Sequence, residues 1–153
     1  MRLAARARAA WLSFRSLPIW VQCWVGALLV PLNGASFLML DTPSGQWAAW
    51  AGAFVALANI GILLAQAGVS RLMALPHLLA WMPLQLALAM RLAGMAPVPA
   101  GEQRFALALL AVNGLSVLFD VGDAWRWCRG ERGIAARSLQ GAIAVTGERC
   151  KKR

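Results

Sequence analysis

The chain reads as an all-α, polytopic membrane protein, an antiparallel bundle of four transmembrane helices with both termini cytoplasmic. Three observations predict this. Residues 17–40, 47–69, 72–90 and 105–121 form four apolar runs that hold a single acid between them, Asp120, and about 20 such residues suffice to cross a ~30 Å hydrocarbon core as a helix. The runs lack both the polar stripe that a soluble helix turns to water and the alternation of a barrel strand. Since lipid offers the backbone no hydrogen bonds, helices are the form that satisfies it. The third observation is charge. Arg2, Arg6, Arg8, Arg15, Arg71 and the eight Lys or Arg after Asp123 fall on one side of such a bundle, against Arg91 and Arg104 on the other. That thirteen-to-two bias is what positive-inside insertion produces, and an even number of crossings keeps both ends on the cytoplasmic face.

Residues 1–16 form a basic segment whose Leu3, Ala7, Ala10, Phe14 and Leu17 fall on one helical stripe, with Arg2, Arg6 and Arg8 off it. This is the pattern of an interfacial amphipathic helix rather than of a cleaved signal, because arginines interrupt it and the following run is too long. Residues 17–127 form the four-helix domain, with helices at about 17–40, 47–69, 72–90 and 105–123. Between the first two runs, Asp41, Thr42, Pro43, Ser44, Gly45 and Gln46 supply turn chemistry, with Asp41 or Ser44 able to cap the next helix. A tight turn is expected at Gly68 to Arg71, and residues 93–101, with Pro97 and Pro99, make the longest outer loop. Tryptophans mark the headgroup level: Trp20, Trp24, Trp125 and Trp127 at inner ends, Trp47 and Trp50 at an outer one, with Trp81 alone at the centre of a run. Residues 128–153 form a basic cytoplasmic tail with too few branched apolar residues for a core of its own.

Charge of +9 on a membrane domain points to anionic headgroups on the cytoplasmic side rather than to nucleic acid. The residues expected to meet them are Arg2, Arg6, Arg8, Arg15, Arg126, Arg129 and Arg132. Cys23 lies within the first run and Cys128 and Cys150 on the reducing side, so no disulfide framework is expected. A single histidine, with no Cys-x-x-Cys-His and no zinc spacing, gives no reason to expect haem, zinc or another cofactor.

The chemistry-bearing exceptions are few. Each run carries a side-chain amide near its middle, Asn33, Asn59, Gln85 and Asn113, and at 1.5 Å per residue all four fall in one shallow band. Such amides bond across helices, with Gly34, Gly61 and Gly114 letting backbones approach, or else line a path for a polar solute. An Asn-Gly-x-Ser echo joins residues 33–36 to 113–116; a duplication of two-helix units would not pair the first helix with the fourth, so coincidence is the better account. In the third run Pro76 and Pro83, seven residues apart, are expected to bend the helix. His77, Trp81 and Gln85 follow at spacings of four along one stripe. An ionisable ring at membrane depth is a candidate for a task. Its possible partner is Asp120, at similar depth on the fourth helix; in the competing arrangement Asp120 and Asp123 reach water or Arg71, and Asp123 meets Arg126.

These observations favour a non-catalytic integral membrane protein, a small structural or accessory module that self-associates or packs against other membrane subunits, in the bacterial inner membrane. An oligomeric channel or transporter is the alternative, and an intramembrane enzyme using His77 and Asp120 the least favoured, since no nucleophile falls at their depth.

Overall fold

A computed structural model of the protein describes residues 3–94 and 96–133. It is all-helical, 84% helix in five helices: α1 (Leu3–Arg15), α2 (Ile19–Leu38), α3 (Pro43–Gln66), α4 (Arg71–Ala93) and α5 (Ala100–Cys128). The last four are each long and apolar enough to span a membrane. Arg2, Cys150 and all of the tail from residue 134 onward lie outside the described residues.

Helix α2 is not regular. A wide π-helical segment, Trp24–Leu29, separates two α-helical pieces, and the helix closes in a 3-10 turn, Ser36–Leu38. Pro31 supplies the reason for the wide segment: it has no N–H to give to the carbonyl four residues back, and its ring would press on that carbonyl in a regular turn.

Helix α3 starts at Pro43, four residues before the apolar run does. The cap is Thr42, whose Oγ1 accepts the Gly45 N–H at 3.1 Å and donates to the Met39 carbonyl at 2.8 Å; the expected cappers Asp41 and Ser44 do not serve, and Ser44 is buried on a different partner. Gly45 is required by the turn, because a Cβ there would lie 1.9 Å from the Met39 carbonyl oxygen. At its other end α3 closes in a Schellman arrangement, Gly68 N–H to Leu63 O at 3.1 Å and Ala67 N–H to Leu64 O at 3.4 Å. The residue with positive φ is Ala67, at 52°, one position before the glycine that the sequence suggests.

Helix α4 begins with a 3-10 turn, Arg71–Met73, so that Pro76 falls in the first α-helical turn, where a missing N–H costs little. It is buried, while Pro83, which lies in the interior of this helix, faces outward. Of the two prolines expected to bend the helix, only Pro83 therefore interrupts its interior ladder.

Helices α4 and α5 share the largest interface, with α3 against α4 next. Ala48, Val55, Trp81, Leu84, Leu88, Ala106 and Leu109 form most of the core, which Leu29 of α2 joins. Helix α1 packs on α3 through Ala10 and Ser13, and Ser13 Oγ accepts the Val69 N–H at 3.0 Å. The expected stripe is thus only partly the packing face: Ala10 is buried, but Leu3 and Ala7 stay exposed beside Trp11, and Arg6 is half-buried. The α1 helix, the α3–α4 turn and the end of α5 meet at one end of the bundle, where Arg71 bonds Asp123 at 3.2 Å and Glu131 at 3.1 Å.

Candidate functional site, an interhelical polar network

Four amides in four spans could close on one another or leave polar groups open, and the structure divides them. Asn33 and Asn113, the first residues of the echoed Asn-Gly-x-Ser segments, pair face to face, joining α2 to α5; Asn33 Nδ2 also reaches the Leu29 carbonyl at 2.9 Å. Gln85 Nε2 donates to the Leu109 carbonyl at 3.3 Å. Asn59 does not join this layer. Its Nδ2 lies 2.7 Å from His77 Nε2, placing it with the residues nearer the basic end. The single band expected from depth is therefore two layers, because which face of a helix an amide occupies decides its partner as much as its depth does.

The layer nearer the basic end is a line of side chains across three helices. Asn59 on α3 meets one ring nitrogen of His77 on α4, and the other, Nδ1, lies 3.2 Å and 3.1 Å from the two carboxylate oxygens of Asp120 on α5. The histidine ring stacks on Trp81, with centroids 4.2 Å apart and planes 12° apart. Trp81 is 2% exposed, so it is a core residue, and among the described residues neither its Nε1 nor Asn59 Oδ1 has a hydrogen-bond partner. The proton positions follow from the way the Asn59 amide is turned, with Nδ2 toward the ring. A donor aimed at Nε2 requires a lone pair there, so Nδ1 carries the hydrogen and gives it to Asp120, whose carboxylate accepts. Of the two fates open to Asp120, the structure takes the histidine pair. Asp123 takes Arg71 instead, and does not pair with Arg126.

Two polar contacts escaped the sequence reading. Trp24, in the π segment, donates its indole N–H to Ser116 Oγ at 3.1 Å, a third hydrogen bond between α2 and α5. At the opposite end from Arg71, Glu102 is 1% exposed; its Oε1 accepts the Ser44 hydroxyl at 2.7 Å and the Ser44 N–H at 3.3 Å, and Arg91 holds both carboxylate oxygens at 3.2 Å. Glu102 thus places a negative charge on the N-terminus of α3, where free N–H groups and the helix dipole favour it. The only sequence signal was an acid in the first turn of a helix opposite an arginine on an outer loop, which is too common to single out.

Gly114 faces the Gln85 amide, 3.7 Å from where a Cβ would sit. Gly34 and Gly61 have nothing within 4 Å of theirs, so the expected close backbone approach does not occur at either position. Of the described basic residues expected at anionic headgroups, Arg8, Arg15, Arg126, Arg129 and Arg132 are exposed. Arg129 lies over Trp125 and Arg132 over Trp127, at 4.6 Å and 4.9 Å. No protein-family description, curated protein or solved structure matches the chain.

Proposed function

We propose that this protein is a non-catalytic integral membrane module, inserted with its basic end on the cytoplasmic side of a bacterial inner membrane, that self-associates or packs against the subunits of a larger membrane complex. The observation that carries this reading is how the polar side chains of the spans are used. Asn33 with Asn113, Gln85 with Leu109 O, and Asn59 with His77 and Asp120 are directed at one another within the bundle. Meanwhile only 17–28% of each span's most apolar stretch is buried inside. The outward faces, with Val30, Leu57, Leu79, Leu86 and Leu118, are left for lipid tails and for other helices. The arginines at the basic end add attraction to an anionic leaflet of about 1 kcal/mol for each one near the surface.

Cross-linking in native membrane followed by gentle solubilisation and mass determination of the tagged protein tests the reading. A discrete homo-oligomer or a fixed set of companion subunits is expected; a monomer without companions overturns it. Flux in liposomes addresses the channel alternative: solute movement that Asn59→Leu or Asn113→Leu abolishes overturns the module reading in favour of a conduit.

A further inference from the structure

We propose that Asn59, His77 and Asp120 form a proton-binding site, in which His77 alternates between a neutral ring and an imidazolium, and the Asn59 amide turns over to match. The starting state is the one in the structure. Asn59 Nδ2 donates to His77 Nε2 at 2.7 Å, and Nδ1–H donates to Asp120. In this state Asn59 Oδ1 is buried with no partner among the described residues, an arrangement that buried acceptors seldom keep. When a proton arrives on Nε2, the ring has two N–H donors, one still directed at Asp120. Rotation of the Asn59 amide by half a turn then presents Oδ1 to the new N–H. The orphaned acceptor of one state is the partner required by the other.

Two groups contact the ring in its charged state. Asp120 is a carboxylate on the Nδ1 side, so its bond to the ring becomes charge-assisted on both sides. Trp81 offers its indole face to the ring at 4.2 Å, the position from which an aromatic quadrupole attracts a cation. The charged and titratable groups around the ring come from every helix packed on it: Asp120 and, one turn on, Asp123 from α5; Arg71 from α4, itself held by Asp123 and Glu131; and from α3 the uncharged Asn59.

The end of the line at Asp123 is the exposed one and the end at Asn59 the buried one. Side-chain exposure falls from 47% at Asp123 to 15% at Asp120 and 18% at His77, and Asn59 as a residue is 8% exposed. Among the described residues the hydrogen-bonded line stops at Asn59, so the geometry holds a proton that enters and leaves by the same end. It does not pass one across.

His77 is the only histidine in the chain, which makes the test direct. The full-length protein, labelled with 15N-histidine and placed in lipid nanodiscs, reports one ring. Above the transition the expected spectrum is that of the Nδ1–H tautomer, with Nε2 as the bare nitrogen; on acidification both nitrogens become protonated, reversibly and with the fold retained. Asp120→Leu is expected to switch the neutral ring to the Nε2–H tautomer. Asn59→Leu is expected to keep the Nδ1–H tautomer, because Asp120 still accepts from that nitrogen. A parent ring in the Nε2–H tautomer, or one that stays neutral until the protein unfolds, overturns the proposal. Both readings need no variant, so a variant that fails to fold leaves the test intact.

Discussion

The side chains of Asn33 and Asn113 exchange two hydrogen bonds, of 2.9 Å and 3.0 Å, so that each amide satisfies the other across α2 and α5. Asn113 is fully buried, and removing its partner strands a buried donor and acceptor at about 1–3 kcal/mol. Asn33→Leu and Asn113→Leu should therefore each lower stability in detergent by roughly that amount. The double variant should cost less than the sum of the two, with a coupling of about 0.6–2 kcal/mol. A double-mutant cycle on thermal unfolding measures it, and additive losses would mean that the pair does not act as one unit.

The two charged clusters should differ sharply in weight. Arg91 and Glu102 are 17% and 1% exposed at the side chain, whereas Arg71 and Asp123 are 30% and 47% exposed. Arg91→Leu leaves a buried carboxylate supported by Ser44 alone, and a loss of about 3–5 kcal/mol is expected. Asp123→Ala removes a solvent-screened pair and should cost no more than about 1 kcal/mol. Denaturation midpoints of both variants, compared with the parent in the same detergent, check the contrast.

At the turns, two substitutions should move stability in opposite directions. Gly45→Ala forces a Cβ against the Met39 carbonyl, which is backbone and cannot step aside, so a loss of at least about 2 kcal/mol is expected. Ala67 sits at φ 52° as the residue that ends α3. Ala67→Gly relieves that conformation and should gain up to about 1 kcal/mol after the added freedom of the unfolded chain is counted. Unfolding temperatures of the two single variants read both effects.

Orientation can be read through cysteine. Cys128 is exposed at the basic end, and Asp41 is exposed in the α2–α3 turn at the other. In a chain with Cys23 and Cys150 replaced by Ser, a membrane-impermeant maleimide should label Cys128 in inverted inner-membrane vesicles and not in intact spheroplasts. Asp41→Cys, made in a chain that also lacks Cys128, should show the reverse. Labelling of Cys128 from outside the cell would place the basic end on the wrong face for the proposed insertion.

Much of the fold was legible because lipid and backbone chemistry impose it locally. Four apolar runs of sufficient length became four apolar helices, and their order with short turns made α3, α4 and α5 antiparallel neighbours. The ends were less legible. Helix α5 extends five residues beyond the expected bounds of 105–123 on each side, to Ala100 and Cys128, since a helix continues wherever the backbone can bond and does not stop where apolar residues do. The π segment before Pro31 was missed for a related reason: proline announces a broken ladder, but the surrounding helices decide whether it is met by a kink, a wide turn or, as at Pro76, by nothing.

The candidate site separates the two kinds of information most clearly. From sequence alone come the identity and depth of Asn33, Asn59, His77, Gln85, Asn113 and Asp120, because 1.5 Å per residue along a helix converts position into depth. Tertiary structure decided the partners: Asn33 with Asn113, Asn59 with His77, Asp120 with His77 rather than with water, and Glu102 with Ser44 and Arg91. Depth is one coordinate along a helix axis, while a hydrogen bond of about 3 Å also depends on each helix's rotation about its axis and on which neighbour it faces. Those are set by how the whole bundle packs.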